Sequence, residues 1–535
     1  MKKLGVIFGV LTLTLMVAMQ SMATEYDVVI NNGRVMDPET MYDSDANVGI
    51  KDGKIAVITK DKITGKETVD AKGLVVAPGF IDTHFHWVRP MGYKLGLRDG
   101  VTTGMDLEMG SLGNYTDQWY KDRQGKCQMN YGTAVSHEFA RSLVLDNATA
   151  HDTMEAGESR KAGNNWSEKV VNLEEGNKIL QLLDQGLRDG AIGIGSTLGY
   201  MRNGVTAREM FEVQRVGANY GRLTSVHLRY TPGTATTEAN GAQEVMANAV
   251  ALGAPAIVAH FNNPGWQLVH ELLTRLQKRG FNIWGEIYPY AAGSTALNAV
   301  FLKPKIWIEQ LGHKYEDTLM DPVDNSFYTR ERYEKEVKEN PTKVIILFKI
   351  PPEQIKQWIK MPGVTVACDS MPVIGDFTWD THYENLPNTH PRGAGAHALA
   401  LRLARENNVP LMQVLSMLSY TSAKHLGDTG LEAMKVRGRL QKGMVADITI
   451  FDPAKVTDNS TYEKGTLPST GIPYVLVNGV VVVKDSKVLK GVNPGQPIRF
   501  KPEAKGRFTP LSFEEWEKNY LGAPVDFCQP APERH

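Results

Sequence analysis

The sequence predicts an α/β fold, a (β/α)8 barrel of the TIM type, with a small β-domain built from both chain ends. Three observations carry that reading. Eight short β-like runs alternate with helix-like segments through the middle of the chain. Both ends are rich in β-branched residues and hairpin turns, unlike the middle. Histidines and carboxylates fall at or near the ends of several of the runs, on the rim where barrels assemble their sites.

The chain opens on a targeting pattern. Lys2 and Lys3 form a positive region, residues 4–19 an apolar one, and Ser21-Met22-Ala23 a small-residue cleavage site. Removal of residues 1–23 and export, to a bacterial periplasm, is the expectation; an uncleaved anchor is the alternative. No later apolar run is long enough to cross a bilayer, so no stable membrane anchor is expected after removal. Three cysteines (Cys127, Cys368 and Cys528) make no disulfide framework, and a large core must supply the stability of 535 residues. A formal net charge of −1 gives no electrostatic case for binding nucleic acid.

After the leader, β-like runs 26–30 and 48–58 flank the turn residues Asn31-Asn32-Gly33 and Lys51-Asp52-Gly53-Lys54. The same style returns at 446–451, 474–477 and 480–483, with Asn478-Gly479 between the last two. Residues 24–76 and 436–505 are therefore expected to form one composite β-domain, with the barrel at 77–435 and a tail at 506–535. The barrel strands are expected at 79–86, 101–108, 131–137, 191–197, 223–228, 256–260, 283–288 and 364–369. Helical patterns separate several of them; Ile179, Leu180, Leu183 and Leu187 share a face before a stop at Gly190. A doubly wound open sheet is the rival, but no glycine-rich phosphate loop follows the first strand. Residues 303–343 fit poorly between the seventh and eighth strands and are expected to form a helical insertion over the barrel mouth, the alternative being a surface excursion without a role.

The most informative stretch is Pro78-Gly79-Phe80-Ile81-Asp82-Thr83-His84-Phe85-His86. Read as a strand, it puts Asp82, His84 and His86 on one face, since side chains alternate with a period of two. Two imidazoles on one face can grip a divalent cation. Glu108, His227, His260 and Asp369 lie at or near the ends of later strands and complete a candidate metal set. Buried, hydrogen-bonded core residues are the alternative, but scattered core histidines have no reason to fall at strand ends.

In order, PGFIDTHFH, GVTTGMDLE, SVHLRY, IVAHFNNPG, IYPYAAGST and VACDSMP resemble the amidohydrolase superfamily, and within it the D-aminoacylase and N-acyl-D-amino-acid deacylase branch. RGRLQKGMVADITIFDPAKV and STGIPYVLVNGVVV also resemble that branch. The resemblance covers nearly the whole chain after the leader, except the insertion and the tail. It implies a barrel beside a composite β-domain, one or two zinc ions at the barrel mouth, and hydrolysis of an amide in a small-molecule N-acyl amino acid. His84 and His86 match the family's first-strand ligands, His227 and His260 its fifth- and sixth-strand ligands, and Asp369 its eighth-strand aspartate. Two departures stand out. The family's D-aminoacylases carry a metal-binding Cys after the second strand, where this chain has Met109, a poor zinc ligand. Glu108, beside it, is the candidate bridging carboxylate if the strand bulges there. The Lys two positions after the sixth-strand His is replaced by Asn262, which bears on the substrate's charge. Other amidohydrolases bridge two metals with a carboxylated Lys on the fourth strand; here that strand reads Gly193-Ile194-Gly195-Ser196-Thr197.

In this reading Asp369 is the general base that takes a proton from water and delivers it to the departing nitrogen. Tyr288 and Tyr290, at the end of the seventh strand, are candidates to hydrogen-bond the oxyanion or a substrate carboxylate, with rim packing the alternative. Arg392 and Arg229 are candidate carboxylate anchors; a solvated loop role is the alternative for Arg392. His137 could touch a ligand at the end of the third strand, though a structural role fits it somewhat better. Cys368 is expected to point away from Asp369 into the barrel wall. The rival functions are a cyclic-amide hydrolase or dipeptidase on the same scaffold, and a barrel that binds a ligand without turnover.

Overall fold

The computed structural model describes residues 26–230, 240–373 and 375–518. The leader and Cys528 lie outside the described residues. Eight strands follow one another round a barrel: Phe80–Asp82, Val101–Ser111, Asn130–Ser136, Gly193–Ser196, Leu223–Val226, Ala256–Val258, Ile283–Ile287 and Thr365–Val366. Each pairs in parallel with its chain neighbour. The seam between the first and the eighth is held by a side chain: Asp82, fully buried, accepts the backbone N–H of His84 at 2.9 Å and of Cys368 at 3.0 Å.

Crossover helices close the outside of the barrel. Helix Leu173–Arg188 starts at a reciprocal cap between Asn172 and Glu175, buries Ile179, Leu180, Leu183 and Leu187, and stops before Gly190, whose φ of +96° needs glycine. Residues 507–516, expected as part of a tail, run along this helix. The Arg507 N–H donates to Asp184 at 2.8 Å, the Leu511 N–H donates to Asn177 at 2.8 Å, and Trp516 is buried beside Gly176.

Both ends of the described chain meet in one nine-stranded sheet. Strand Ile448–Phe451 pairs antiparallel with Val75–Pro78 and so joins the C-terminal strands to the N-terminal ones. The turns at Asp52-Gly53 and Asn478-Gly479 have φ of +51°, +73°, +48° and +79°, the positive pairs of a tight two-residue hairpin.

The excursion between the seventh and eighth barrel strands carries helical segments Lys305–Gln310, Tyr315–Thr318 and Arg330–Glu339 within residues 303–343. It is framed by a three-stranded antiparallel sheet, not expected from the sequence, with Val344–Phe348 between Ala292–Ala296 and Leu319–Met320. The apolar, partly β-branched run Val344-Ile345-Ile346-Leu347-Phe348 favours a strand, and Ile345 and Leu347 pack on Leu297, Trp307, Tyr315 and Tyr328.

The strands also end earlier than expected. The first stops at Asp82, the sixth at Val258 and the eighth at Val366. His84, His86, His260 and Asp369 therefore stand on turning backbone at the rim. His84 keeps an isolated bridge to Asp106, and His260 and Asp369 adopt φ of +26° and +51°. Non-glycine residues take such angles where surrounding structure compels them, as at functional sites.

Candidate metal centre

Four imidazoles singled out in the sequence converge on Glu108, and Asp369 joins two of them. Glu108 Oε2 lies 3.1 Å from His84 Nε2 and 3.4 Å from His86 Nε2. Its Oε1 lies 2.9 Å from His227 Nδ1 and 3.0 Å from His260 Nε2. Asp369 Oδ1 sits 3.4 Å from both His84 Nε2 and His86 Nε2. Glu108 thus stands between two pairs of imidazoles, with Asp369 on the His84–His86 side. The second barrel strand shifts register against the third between Asp106 and Ser111, and this bulge turns the carboxylate toward the cluster. Gly110 permits it: its φ is +80°, and a Cβ there would come within 2.3 Å of the Ala134 carbonyl oxygen.

The outer nitrogens of the two first-strand histidines are occupied. His84 Nδ1 donates to Glu286, and His86 Nδ1 donates to Asp106 Oδ1 at 3.1 Å. In the neutral rings both Nε2 atoms then carry lone pairs, yet they face each other at 3.0 Å with two carboxylates beside them. Only a cation reconciles that arrangement. Burial pushes the pKa of His84 and of His86 down, but the surrounding carboxylates outweigh it and raise both well above the ordinary value. The site is a hole for positive charge, and the donor set of imidazole and carboxylate suits zinc.

Asp369 is set apart by Arg392, whose Nη1 donates to Oδ2 at 2.9 Å. Burial raises the Asp369 pKa, but Arg392 and His84 more than offset it and hold the carboxyl well below its usual range. Arg392 is the first residue of helix Arg392–Glu406, not part of a solvated loop, and its guanidinium lies 4.8 Å from the Tyr288 ring centre. Its Nε and Nη2 are sealed from solvent without a partner.

A cavity of about 490 Å³ opens over the cluster. His86, Glu108, His227, His260, Asp369, Tyr288 and Arg392 line its floor, and Phe301, Trp307, Leu347 and Lys349 of the excursion line it from above. Other expected site residues sit differently. Tyr290 is buried against His390 and Tyr462 and does not line the cavity, which is the packing alternative. His137 is the first residue of helix His137–Asp146 and bonds Ser196 at 3.0 Å and Glu209 at 3.1 Å, away from the cavity. Arg229 touches the cavity, but its guanidinium is committed to Glu244 and the Val205 carbonyl, because the chain turns it outward from the cluster. Cys368 is buried with Sγ 3.7 Å from the His84 carbonyl, in the barrel wall.

Glu286 and Asp106 escaped the sequence reading. Both hold the imidazoles of candidate ligands, His84 and His86, in the way metal-binding histidines have their second nitrogen held. The signal was present: each is an acidic residue two positions before a rim residue (Tyr288 and Glu108), and so on the same face of its run.

No family model matches the chain. The D-aminoacylase of Alcaligenes xylosoxydans xylosoxydans is 24% identical over 510 residues, covering 86% of this chain and 96% of that protein. The N-acyl-D-glutamate deacylase of the same organism is 24% identical over 500 residues, covering 86% and 94%. The fold is also that of a crystal structure of N-acyl-D-glutamate deacylase from Bordetella bronchiseptica, complexed with zinc and a phosphonate mimic of the tetrahedral intermediate. That structure superposes with a TM-score of 0.70 at 22% identity, over 89% of this chain and all of that one.

Proposed function

We infer that the chain belongs to the D-aminoacylase branch of the amidohydrolase superfamily and hydrolyses the amide of N-acyl amino acids of D configuration, with one or two zinc ions. The relatives named D-aminoacylase and N-acyl-D-glutamate deacylase support the substrate class. The observation that carries the reading is Glu108 standing between the imidazole pairs His84–His86 and His227–His260, with Asp369 beside the first. The residues we assign to the metal are His84, His86, Glu108, His227, His260 and Asp369. Bound zinc supplies a Lewis acid that polarises the acyl oxygen and brings the pKa of water from about 15.7 toward neutrality.

The chain's own residues do the rest. Asp369 accepts the proton of the attacking water on its cluster-facing oxygen and later hands it to the departing nitrogen. Arg392 clamps the opposite oxygen and fixes the carboxylate plane. Tyr288, whose phenol burial keeps protonated, lines the cavity and can donate to the developing oxyanion. The walls contributed by Phe301, Trp307 and Leu347 exclude water and suit an acyl chain. The fourth barrel strand, Gly193–Ser196, has no lysine of the kind with which other amidohydrolases bridge two metals, and Glu108 would serve as the bridging carboxylate.

We also propose that residues 1–23 direct export to a periplasm; among the described residues no helix is long and apolar enough to cross a membrane. The domain limits proposed are 24–76 with 436–505 for the composite β-domain and 77–435 for the barrel. The decisive experiment is a hydrolysis panel of N-acetyl-D- and L-amino acids, dipeptides and hydantoins, with zinc added or removed. Zinc-dependent cleavage of N-acetyl-D-amino acids is expected, together with loss of roughly 10²–10⁴ in kcat for Asp369→Asn with metal retained. Cleavage of hydantoins alone, or a near-normal rate for Asp369→Asn, overturns the assignment.

A further inference from the structure

We propose that Lys349, a residue of the excursion and not of the barrel, recognises the free carboxylate of the substrate. The proposal rests on the hydrolase reading above and deepens it. The cavity wall carries several other cations, and most are already paired. Arg160 grips both oxygens of Glu138, at 2.7 and 3.0 Å. Arg229 is bound to Glu244, and Arg392 holds Asp369 with its remaining nitrogens sealed in protein. Arg202 lies 5.3 Å from the Tyr230 ring centre, with its Nε sealed in protein. Lys349, like Arg202, has among the described residues no hydrogen-bond or ion-pair partner and lines the cavity, but Lys349 stands beside Tyr288 of the cavity floor.

Its direction follows from the backbone. Lys349 comes immediately after strand Val344–Phe348, and Leu347, two positions earlier and therefore on the same face, lines the cavity too. Across the sheet, Gly293 pairs with Leu347. A Cβ on Gly293 would lie 3.5 Å from Lys349 Cε and 3.3 Å from the Tyr288 hydroxyl oxygen. The missing side chain leaves a notch flanked by an ammonium stem and a phenol. An ammonium left unpaired in such a place is costly, and a carboxylate ligand with its charge-assisted hydrogen bond removes the cost. Burial, then Arg392, lowers the Lys349 pKa to about 8, so the group is still largely charged at neutral pH.

An N-acyl amino acid fits this layout. Its carboxylate is one carbon away from the amide nitrogen, so an amide over Glu108 and Asp369 presents the carboxylate to the wall above. Arg392, the anchor expected from sequence, is then a positioning residue for Asp369, and the carboxylate falls to Lys349.

The test compares N-acetyl-D-leucine with N-acetyl-D-leucinamide, which lacks only the negative charge, on the full zinc-loaded protein. Lys349→Met is expected to raise KM for the acid roughly ten- to a hundredfold, with kcat little changed and the carboxamide unaffected. Lys349→Arg restores much of the preference, and Arg202→Met leaves it intact. Equal losses on both compounds, an unchanged KM for the acid, or loss of preference in Arg202→Met instead, overturns the proposal. If the wild type hydrolyses neither compound, the hydrolase reading falls by itself, and calorimetric titration of N-acetyl-D-leucine decides the rest. Binding lost in Lys349→Met sustains the carboxylate site on a non-hydrolytic barrel, and no binding to the wild type removes it.

Discussion

Arg392 Nη1 donates to Asp369 Oδ2 at 2.9 Å, while Asp369 Oδ1 faces His84 and His86 at 3.4 Å. One oxygen of the carboxylate is anchored and the other is free to work. A base held in this way keeps its angle to the reacting water, and its proton affinity is set by the balance of Arg392 against the buried surroundings.

Replacing Arg392 should therefore act on turnover and not on the affinity for a carboxylate. Arg392→Met is expected to lower kcat roughly ten- to a hundredfold with KM nearly unchanged, the usual scale for a residue that orients a ligand or base. Arg392→Lys should recover part of the loss. Steady-state kinetics on the best N-acyl-D-amino acid reads the split; a rise in KM alone would return Arg392 to substrate binding.

Glu108 should decide how many ions the cluster holds. Glu108→Gln keeps the shape but removes the charge shared by His84, His86, His227 and His260. Elemental analysis after dialysis at fixed free zinc is expected to show less metal per chain than in the wild type, with activity reduced at least tenfold. An unchanged zinc content would show that the histidines and Asp369 suffice.

Gly110 should prove intolerant of any side chain. Gly110→Ala forces an L residue to φ of +80° and drives a Cβ within 2.3 Å of the Ala134 carbonyl oxygen. The left-handed angle alone costs about 1–2 kcal/mol, visible as a lower midpoint in denaturant. Because the bulge aims Glu108, zinc affinity should fall with it. Normal stability and metal content in this variant would mean that the bulge is not what sets the carboxylate.

The pH dependence of KM should report Lys349. Its pKa is lowered to about 8 by burial and by Arg392, against Asp369 acting upward. Carboxylate recognition needs the protonated form, so KM for an N-acyl amino acid should be flat below that value and rise as pH climbs through it. The carboxamide should show no such rise, and Lys349→Arg should flatten the curve, since a guanidinium stays charged. Identical profiles for acid and carboxamide would count against the assignment.

Much of this was legible in the chain itself. The alternation of runs, the composite ends and the positions of His84, His86, His227, His260 and Asp369 follow from local patterns that any single strand carries. Glu286, Asp106 and Lys349 were hidden for the same reason. Each is one charged residue in an otherwise ordinary stretch, and its meaning depends on a partner or a cavity supplied from elsewhere. The distance in sequence between His84 and Glu286 is 202 residues. The strand at 344–348, just beyond the helical stretch 303–343, went unread because a short apolar run has no fixed meaning until Ala292–Ala296 is there to pair with it.

Sequence alone determined the kind of barrel, the face that carries chemistry and the types of ligand, because periodicity and turn residues act over a few neighbours. Tertiary structure decided which carboxylate stands between the imidazoles, which arginine is committed to the base, and which cation is left for a ligand. Those outcomes depend on distances of about 3 Å between residues far apart in the chain, and electrostatic and hydrogen-bond energies vary steeply on that scale.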